Sequence, residues 1–238
     1  MNLRAVLFDA GDTLFRVRGT VGGVYASVAA RHGVTVAAAD IEQRFRAAFR
    51  GMPPLAFPDV PEPELPQYEY EWWKGIVEAV FSDTRFGDFE VFFADLFAYF
   101  AEPDSWQLFP DVEPALTALR ARGLRLAIVS NFDGRLTRIC EGLGIAGYFD
   151  TIVMSGRAGA AKPNPRIFTA ALTRLAVSPG ECMHVGDSDT EDIQGARAAG
   201  LRAIRIERSA QPSDAVERVR DLRDLLRSVN QSSVRNRR

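Results

Sequence analysis

The sequence predicts an α/β fold in which a doubly wound, mostly parallel sheet carries an inserted helical domain. Short, continuous apolar runs recur along the chain, and helical patterns alternate with most of them. Between residues 16 and 105 this alternation stops, and only helical patterns are found there. Because alternating strands and helices are typical of a doubly wound sheet, the interruption indicates an insertion after the first strand.

The predicted strands are apolar runs that suit burial on both faces, as in a parallel sheet. Helical spacing follows several of them. Apolar residues at 112, 115, 116 and 119 form one helical face, which Gly123 is placed to terminate. Another helix is predicted to begin with Asn164 as its cap and Pro165 in its first turn. The strand runs are Ala5–Phe8, Leu124–Val129, Thr151–Met154, Cys182–Val185 and Ala203–Ile206.

The insertion is predicted to form four amphipathic helices with wide apolar faces. The proline-rich loop Gly51–Pro66 separates the second helix from the third. Its aromatic residues are expected to form the core of a bundle, with some of them lining a cleft shared with the sheet domain. We therefore predict a core domain of residues 1–15 and 106–228, a helical domain of residues 16–105 and a disordered tail at 229–238.

Composition excludes several classes of protein. The net charge of −2 gives no reason to expect nucleic-acid binding. No signal peptide is apparent, and no apolar stretch approaches the roughly 20 residues that span a bilayer. Cys140 and Cys182 have no CxxC spacing, so we expect small core residues in a reducing compartment. These features predict a cytoplasmic protein without membrane or nucleic-acid partners. The sequence leaves open whether the protein is a monomer or a homodimer.

Polar residues follow the predicted strands where a ligand site is expected. Asp9 ends the first run, Ser130-Asn131 ends the second, and Asp187 and Asp192 follow the fourth; Lys162 lies in the loop after the third. Ligands of open α/β sheets bind outside the carboxyl ends of the strands. One such residue is easily explained as a helix cap, whereas this many at one edge indicate a functional site.

Four motifs occur in order: "FDAGDTL", "IVSNFD", "AAKPNPRIF" and "HVGDSDTEDIQGA". Over residues 3 to 206 the chain resembles the haloacid dehalogenase superfamily of hydrolases, which implies a Rossmann-like core. The insertion resembles that family's α-helical (C1-type) cap. "YEWWKGIV" and "KPNPRIF" are similar to the subgroup of haloacid dehalogenase-like hydrolase domain-containing and rhythmically expressed proteins.

The resemblance implies a role for each motif residue. Asp9 would be the nucleophile and would form an aspartyl-phosphate. Ser130, Asn131 and the backbone at Gly11 would bind the phosphoryl group of a small phosphorylated substrate, and Lys162 would neutralise it. Lys162 is a good candidate because the chain has only one other lysine, Lys74.

The resemblance also implies a Mg²⁺ site. Asp9, the carbonyl oxygen of Gly11 and Asp187 would hold the ion, since Mg²⁺ commonly takes few protein carboxylates together with substrate oxygens. Asp192 would orient the site from outside the first shell of ligands.

Gly11 is a departure from the family's phosphatases, which carry a second Asp at this position as general acid. The acid has moved to Asp12, which we expect to support the site from outside or to shape the turn. General acid catalysis is worth about 10²–10⁴-fold, so hydrolysis of esters with poor leaving groups should be weakened.

The leading hypothesis is a Mg²⁺-dependent hydrolase of small phosphate esters. A metal-independent 2-haloacid dehalogenase is an alternative that needs no general acid, because halide leaves unprotonated. Phosphonate hydrolases also lack that acid, but they use a lysine of the cap, and Lys74 is expected to be an ordinary surface residue. A non-catalytic binding or regulatory protein, for which Gly11 is the main support, is the remaining alternative.

Overall fold

The computed structural model describes residues 3–208 and 218–226 of the 238-residue chain. The predicted tail at 229–238 lies outside the described residues, as do residues 209–217 and 227–228 of the predicted core domain. Within the described ranges, no helix is long and apolar enough to cross a membrane.

In the described residues a six-stranded sheet forms the centre of the core, and its strands are, from one edge to the other, β5 (Thr151–Met154), β4 (Arg125–Ser130), β1 (Ala5–Phe8), β6 (Cys182–Gly186), β7 (Arg202–Ile206) and β8 (Arg218–Val219). Each strand pairs in parallel with its neighbours, which confirms the predicted fold class. A separate pair is formed by β2 (Phe15–Val17) and β3 (Trp106–Leu108).

Helices cover both faces of the sheet, because alternate residues of β1 enter separate hydrophobic clusters. Val6 and Phe8 join one cluster and Ala5 and Leu7 the other, and all four are fully buried. The helices are α1 (Val21–Arg31), α2 (Ala38–Gly51), α3 (Leu65–Val80), α4 (Phe89–Tyr99), α5 (Val112–Arg120), α6 (Arg135–Gly142), α7 (Ser155–Ala158), α8 (Pro165–Leu175) and α9 (Gly195–Ala198).

Helices α1 to α4 make up the helical insertion and share a third hydrophobic cluster, to which they contribute aromatic and aliphatic residues. The strand pair β2–β3 lies where the chain enters and leaves this insertion, and it is antiparallel. No strand was expected between residues 16 and 105, so Arg16 and Val17 of β2 are a difference from the sequence prediction. Strands this short show no periodicity, and their pairing depends on two segments far apart in the sequence.

The loop predicted at Gly51–Pro66 is shorter than expected. A turn of 3₁₀ helix covers Glu62–Glu64, and α3 begins directly after it, with Pro66 in its first turn. Proline is tolerated there because the first helical N–H groups have no partner within the helix. The proline-rich composition therefore marked the start of a helix as well as a loop.

Candidate active site

Asp9 is held at the carboxyl end of the central strand. Its backbone N–H donates to the carbonyl oxygen of Val185 on β6 at 2.9 Å. Its Oδ1 accepts hydrogen bonds from Ser130 Oγ at 2.9 Å and from Lys162 Nζ at 2.5 Å. Within the described part of the chain, no donor reaches Oδ2. One oxygen of Asp9 is thus fixed, and the other is available for chemistry or for a metal ion.

Lys162 is a buried lysine that joins two carboxylates. Its Nζ donates to Asp9 Oδ1 and, at 2.6 Å, to Asp192 Oδ1, and the residue is 4% exposed. Burial disfavours the ammonium ion, but Asp192 and Asp9 outweigh this effect and raise the pKa of Lys162 above its usual range. The lysine is therefore a permanent positive charge beside the proposed nucleophile.

Asn131 fixes the backbone of Lys162. Its Oδ1 accepts the Lys162 N–H at 2.7 Å, and its Nδ2 donates to the Lys162 carbonyl oxygen at 3.0 Å. The loop after β4 thus holds the loop that carries the lysine. The predicted contact of Asn131 with a substrate remains a prediction, because both polar atoms of its amide are engaged with the protein.

Asp192 is fully engaged by the protein and is 1% exposed. Its Oδ1 also accepts from His184 Nε2 at 2.9 Å, and its Oδ2 accepts from the N–H of Ser188 at 3.0 Å. Burial opposes ionisation, but Lys162 and His184 outweigh it and hold the pKa of Asp192 well below its usual range. The residue lies in a turn of π-helix, Asp189–Gln194, a geometry frequent at functional sites.

Asp187 completes a cluster of three carboxylates. One oxygen each of Asp9, Asp187 and Asp192 lie within 4.8 Å of one another. Burial, with help from Asp9, Asp192 and the nearby Asp12, raises the pKa of Asp187 to about 7. Burial also raises the pKa of Asp9, and Lys162 offsets only part of that effect. With all three carboxylates ionised, the cluster would hold more negative charge than Lys162 balances, and a hard divalent cation with oxygen ligands would stabilise that state.

Gly11 and Asp12 form the turn after Asp9. Nothing lies within 4 Å of a Cβ built at Gly11, so the position of the family's second acid is open space. Asp12 has a left-handed backbone (φ 52°), and its N–H donates to the Phe15 carbonyl oxygen at 2.8 Å. Its carboxylate is not part of the three-acid cluster. Burial and the charge of Asp9 raise the pKa of Asp12.

The helical insertion contacts the core through the loop that follows β4. Trp73 Nε1 donates to Asp133 Oδ2 at 2.6 Å, and Glu69 Oε2 accepts the N–H of Gly134 at 3.0 Å. Arg135 pairs with Asp133 and lies over the ring of Phe97, with 3.9 Å from its guanidinium carbon to the ring centroid. These contacts join the helical insertion to the core. A cavity of about 300 Å³ lies between the insertion and the turn at Gly11 and Asp12.

Sequence reasoning did not assign a role to His184, Glu69, Asp133 or Arg135. His184 is fully buried, and its partner Asp192 was itself predicted from a motif. A histidine inside a predicted buried strand was a usable signal, because buried polar groups need partners. Glu69 and Asp133 had no comparable signal. Their partners across the interface, Gly134 for Glu69 and Trp73 for Asp133, lie 65 and 60 residues away in the sequence.

Lys74 is the other lysine of the chain, and among the described residues its ion-pair partner lies on the helical insertion and not in the three-acid cluster. Its Nζ pairs with Glu90 Oε1 at 2.5 Å on the helical insertion. The hydrogen bond to Glu90 raises the pKa of Lys74. A protonated amine is no nucleophile, so the arrangement gives no support to imine chemistry at this residue.

A parallel sheet that is interrupted by helices after its first strand, and that carries acids at its carboxyl edge, is the architecture of one class of hydrolases. A sequence model described as haloacid dehalogenase-like hydrolase matches residues 3–200, so the chain belongs to this family. This finding confirms the resemblance carried by the four motifs.

Individual relatives agree with this assignment. The chain is 37% identical over 228 residues to the mouse (Mus musculus) haloacid dehalogenase-like hydrolase domain-containing protein 3, covering 92% of this chain and 87% of that protein. It is 39% identical over 133 residues to a phosphoserine phosphatase of Thermus thermophilus, covering 54% and 53%. A phosphatase structure from Thermococcus onnurineus has a TM-score of 0.67 at 26% identity, covering 95% of this chain and 98% of that one.

Proposed function

We propose that this protein is a Mg²⁺-dependent hydrolase of small phosphate esters in which Asp9 is transiently phosphorylated. The observation that carries the proposal is the cluster of Asp9, Asp187 and Asp192 within 4.8 Å, with Lys162 bonded to two of them. The similarity to a phosphatase over about half of the chain gives further support.

The first step is displacement at phosphorus. Asp9 Oδ2, the carboxylate oxygen without a donor, attacks the phosphoryl group while the bond to the leaving oxygen breaks, and water then hydrolyses the aspartyl-phosphate. Ser130 Oγ and Lys162 Nζ are bonded to Asp9 Oδ1 and would also meet the negative phosphoryl oxygens. Asp192 keeps the lysine charged and aimed at Asp9.

A Mg²⁺ ion would be held by Asp9, Asp187 and the carbonyl oxygen of Gly11, and it would neutralise charge on the phosphoryl group. Asp187 suits this role because, with its pKa raised to about 7, it is a carboxylate that a cation would stabilise in the ionised form. Three carboxylates this close together, with one lysine bonded to only two of them, are costly without such an ion. A metal-independent dehalogenase has no need for this surplus of charge, so the cluster favours the phosphatase reading.

Hydrolysis of acetyl phosphate and p-nitrophenyl phosphate in Mg²⁺, and again in EDTA, tests the proposal. We expect turnover that requires the ion and that Asp9→Asn abolishes, since an amide is a very weak nucleophile. Turnover that EDTA leaves unchanged, or chloride release from 2-chloropropionate, would refute it. Stabilisation by Mg²⁺ in thermal unfolding, without turnover of either ester, would instead identify a binding protein.

A further inference from the structure

We infer that the substrate is an aryl phosphate, whose aromatic leaving group occupies the cavity between the helical insertion and the sheet; this inference rests on the proposed function. The cavity directly adjoins the site, because Gly11, Asp12 and Asn131 form its floor. Its volume of about 300 Å³ suits a small ring system rather than a large ligand.

The walls of the cavity are mainly apolar and come largely from the helical insertion. Aliphatic side chains such as Val77 and Leu96 line it together with aromatic ones. Aromatic rings favour edge-to-face and offset contacts with one another, so a ring in this cavity has partners on several sides. The aromatic lining residues include Phe45, Phe49, Phe93, Phe97, Phe100 and Trp106.

Polar groups of the lining are mostly engaged with the protein. Arg135 makes two hydrogen bonds to Asp133 through Nε (2.9 Å) and Nη2 (2.6 Å). Trp73 Nε1 is bonded to Asp133, and Trp106 Nε1 donates to a backbone carbonyl oxygen at 3.1 Å. A sugar, amino acid or nucleotide would therefore lose hydration on entry and find few new partners, chiefly the Tyr25 hydroxyl and the Asp12 carboxylate, whereas an aromatic group does not suffer this loss.

Phe49 extends the apolar wall to the surface. It is 41% exposed, and its ring centroid lies 5.7 Å from that of Phe45 and 6.1 Å from that of Trp73. A ring bound in the cavity would cover part of this exposed surface. Exposed aromatic residues at the rim of an apolar cavity are typical of ligand-binding surfaces.

Gly11 leads independently to the same class of substrate. Without an acid at this position, the leaving oxygen departs as an anion and takes both electrons of the P–O bond while the Asp9–phosphorus bond forms. It then gains a proton from solvent. Phenols ionise near pH 10, much more readily than aliphatic alcohols, so a phenolate leaves without assistance. The cavity therefore favours an apolar ring in the leaving group, and the absence of an acid at Gly11 favours a leaving group as acidic as a phenol.

The test compares three esters in Mg²⁺. Phenyl phosphate and 2-naphthyl phosphate have leaving groups of similar acidity, and acetyl phosphate has a good leaving group without a ring. We expect kcat/KM for 2-naphthyl phosphate to exceed that for phenyl phosphate about tenfold, because the larger ring fills more of the cavity. We expect Phe49→Ala to lower the ratio of naphthyl to acetyl phosphate kcat/KM by about fivefold to tenfold.

Tyr68→Ala is the matched control. Tyr68 is an equally exposed aromatic residue of the helical insertion (45%), but it packs on Phe57 and does not line the cavity. Tyr68→Ala should leave the ratio of naphthyl to acetyl phosphate kcat/KM unchanged. Equal kcat/KM for the two aryl esters, or a ratio insensitive to Phe49→Ala, would overturn this inference while Mg²⁺-dependent acetyl phosphate hydrolysis upheld the proposed function. Failure to hydrolyse any of the three esters would overturn both.

Discussion

Gly186 and Asp192 are packed directly against each other. A Cβ at position 186 would lie 2.1 Å from Asp192 Cγ, so only glycine leaves room for the carboxyl group. This contact lets Asp192 reach Lys162 at 2.6 Å and His184 at 2.9 Å. The glycine at the end of β6 thus sets the position of the lysine beside Asp9.

Replacing this glycine should displace the whole arrangement. We expect Gly186→Ala to lower kcat about 10²-fold, because small displacements of catalytic groups have effects of this size. Overpacking should also cost about 1–3 kcal/mol of unfolding free energy. Steady-state kinetics and urea unfolding measure the two effects. Gly180→Ala, where nothing lies within 4 Å of the new methyl group, is the control. Similar kinetics for the two variants would contradict the proposed role of the contact.

Asn131 should act through Lys162. Asn131→Ala removes both hydrogen bonds to the Lys162 backbone, so we expect kcat to fall about 10–10²-fold with little change in KM. We also expect a loss of about 1–3 kcal/mol in unfolding free energy. Asn131→Asp keeps the acceptor for the Lys162 N–H and should be intermediate in stability. A raised KM at unchanged stability would instead show that Asn131 binds the substrate directly.

Restoring an acid at position 11 should broaden the substrate range. The space around Gly11 accepts a side chain, and its backbone does not have the positive φ of the neighbouring Asp12. We expect Gly11→Asp to raise kcat/KM for alkyl phosphates up to about 10²-fold, because their leaving groups need a proton. Aryl phosphates should gain much less. The measurement is kcat/KM for a matched alkyl and aryl pair.

Asp12→Asn tests whether the displaced acid already supplies that proton. Asparagine tolerates the left-handed backbone at this position. We expect it to leave the ratio of alkyl to aryl kcat/KM unchanged. A selective loss of alkyl phosphate hydrolysis would show that Asp12 is the general acid and that the turn compensates for Gly11.

The pH dependence of stability should include a contribution from Glu69. Its Oε1 is buried without a hydrogen-bond partner in the described structure, and burial raises its pKa above 4.5 despite the hydrogen bond from Gly134. A carboxyl group whose pKa is raised by folding stabilises the protein most below its unfolded-state pKa, and this contribution is lost as the pH rises through the folded-state pKa. Glu69→Gln should therefore be more stable than the native protein at about pH 8 and lose that advantage at about pH 4.

Urea unfolding across this range measures the effect. Glu78→Gln, an exposed residue on the same helix, should not change the pH profile. A Glu69→Gln profile parallel to that of the native protein would show that Glu69 titrates normally in the folded state.

Local sequence patterns predicted much of the fold. The runs Ala5–Phe8 and Thr151–Met154 are strands with the predicted ends, since continuous apolar runs signal burial on both faces. Asn164 caps α8 through its bond to the Arg166 N–H, as the Asn-Pro pair predicted. The convergence of acids at one sheet edge followed from a general rule about parallel strands. The strand pair β2–β3 escaped prediction because its pairing is long-range.

The sequence by itself determined the fold class, the family and which residues meet at the carboxyl edge, because short-range periodicity and the order of motifs encode them. Only the tertiary structure decided how those residues are connected: that Asn131 holds the backbone of Lys162, that His184 supports Asp192, and that aromatic side chains enclose an apolar cavity beside Gly11. Such relationships depend on distances of a few ångströms between elements far apart in the chain, and a linear pattern contains no measure of those distances.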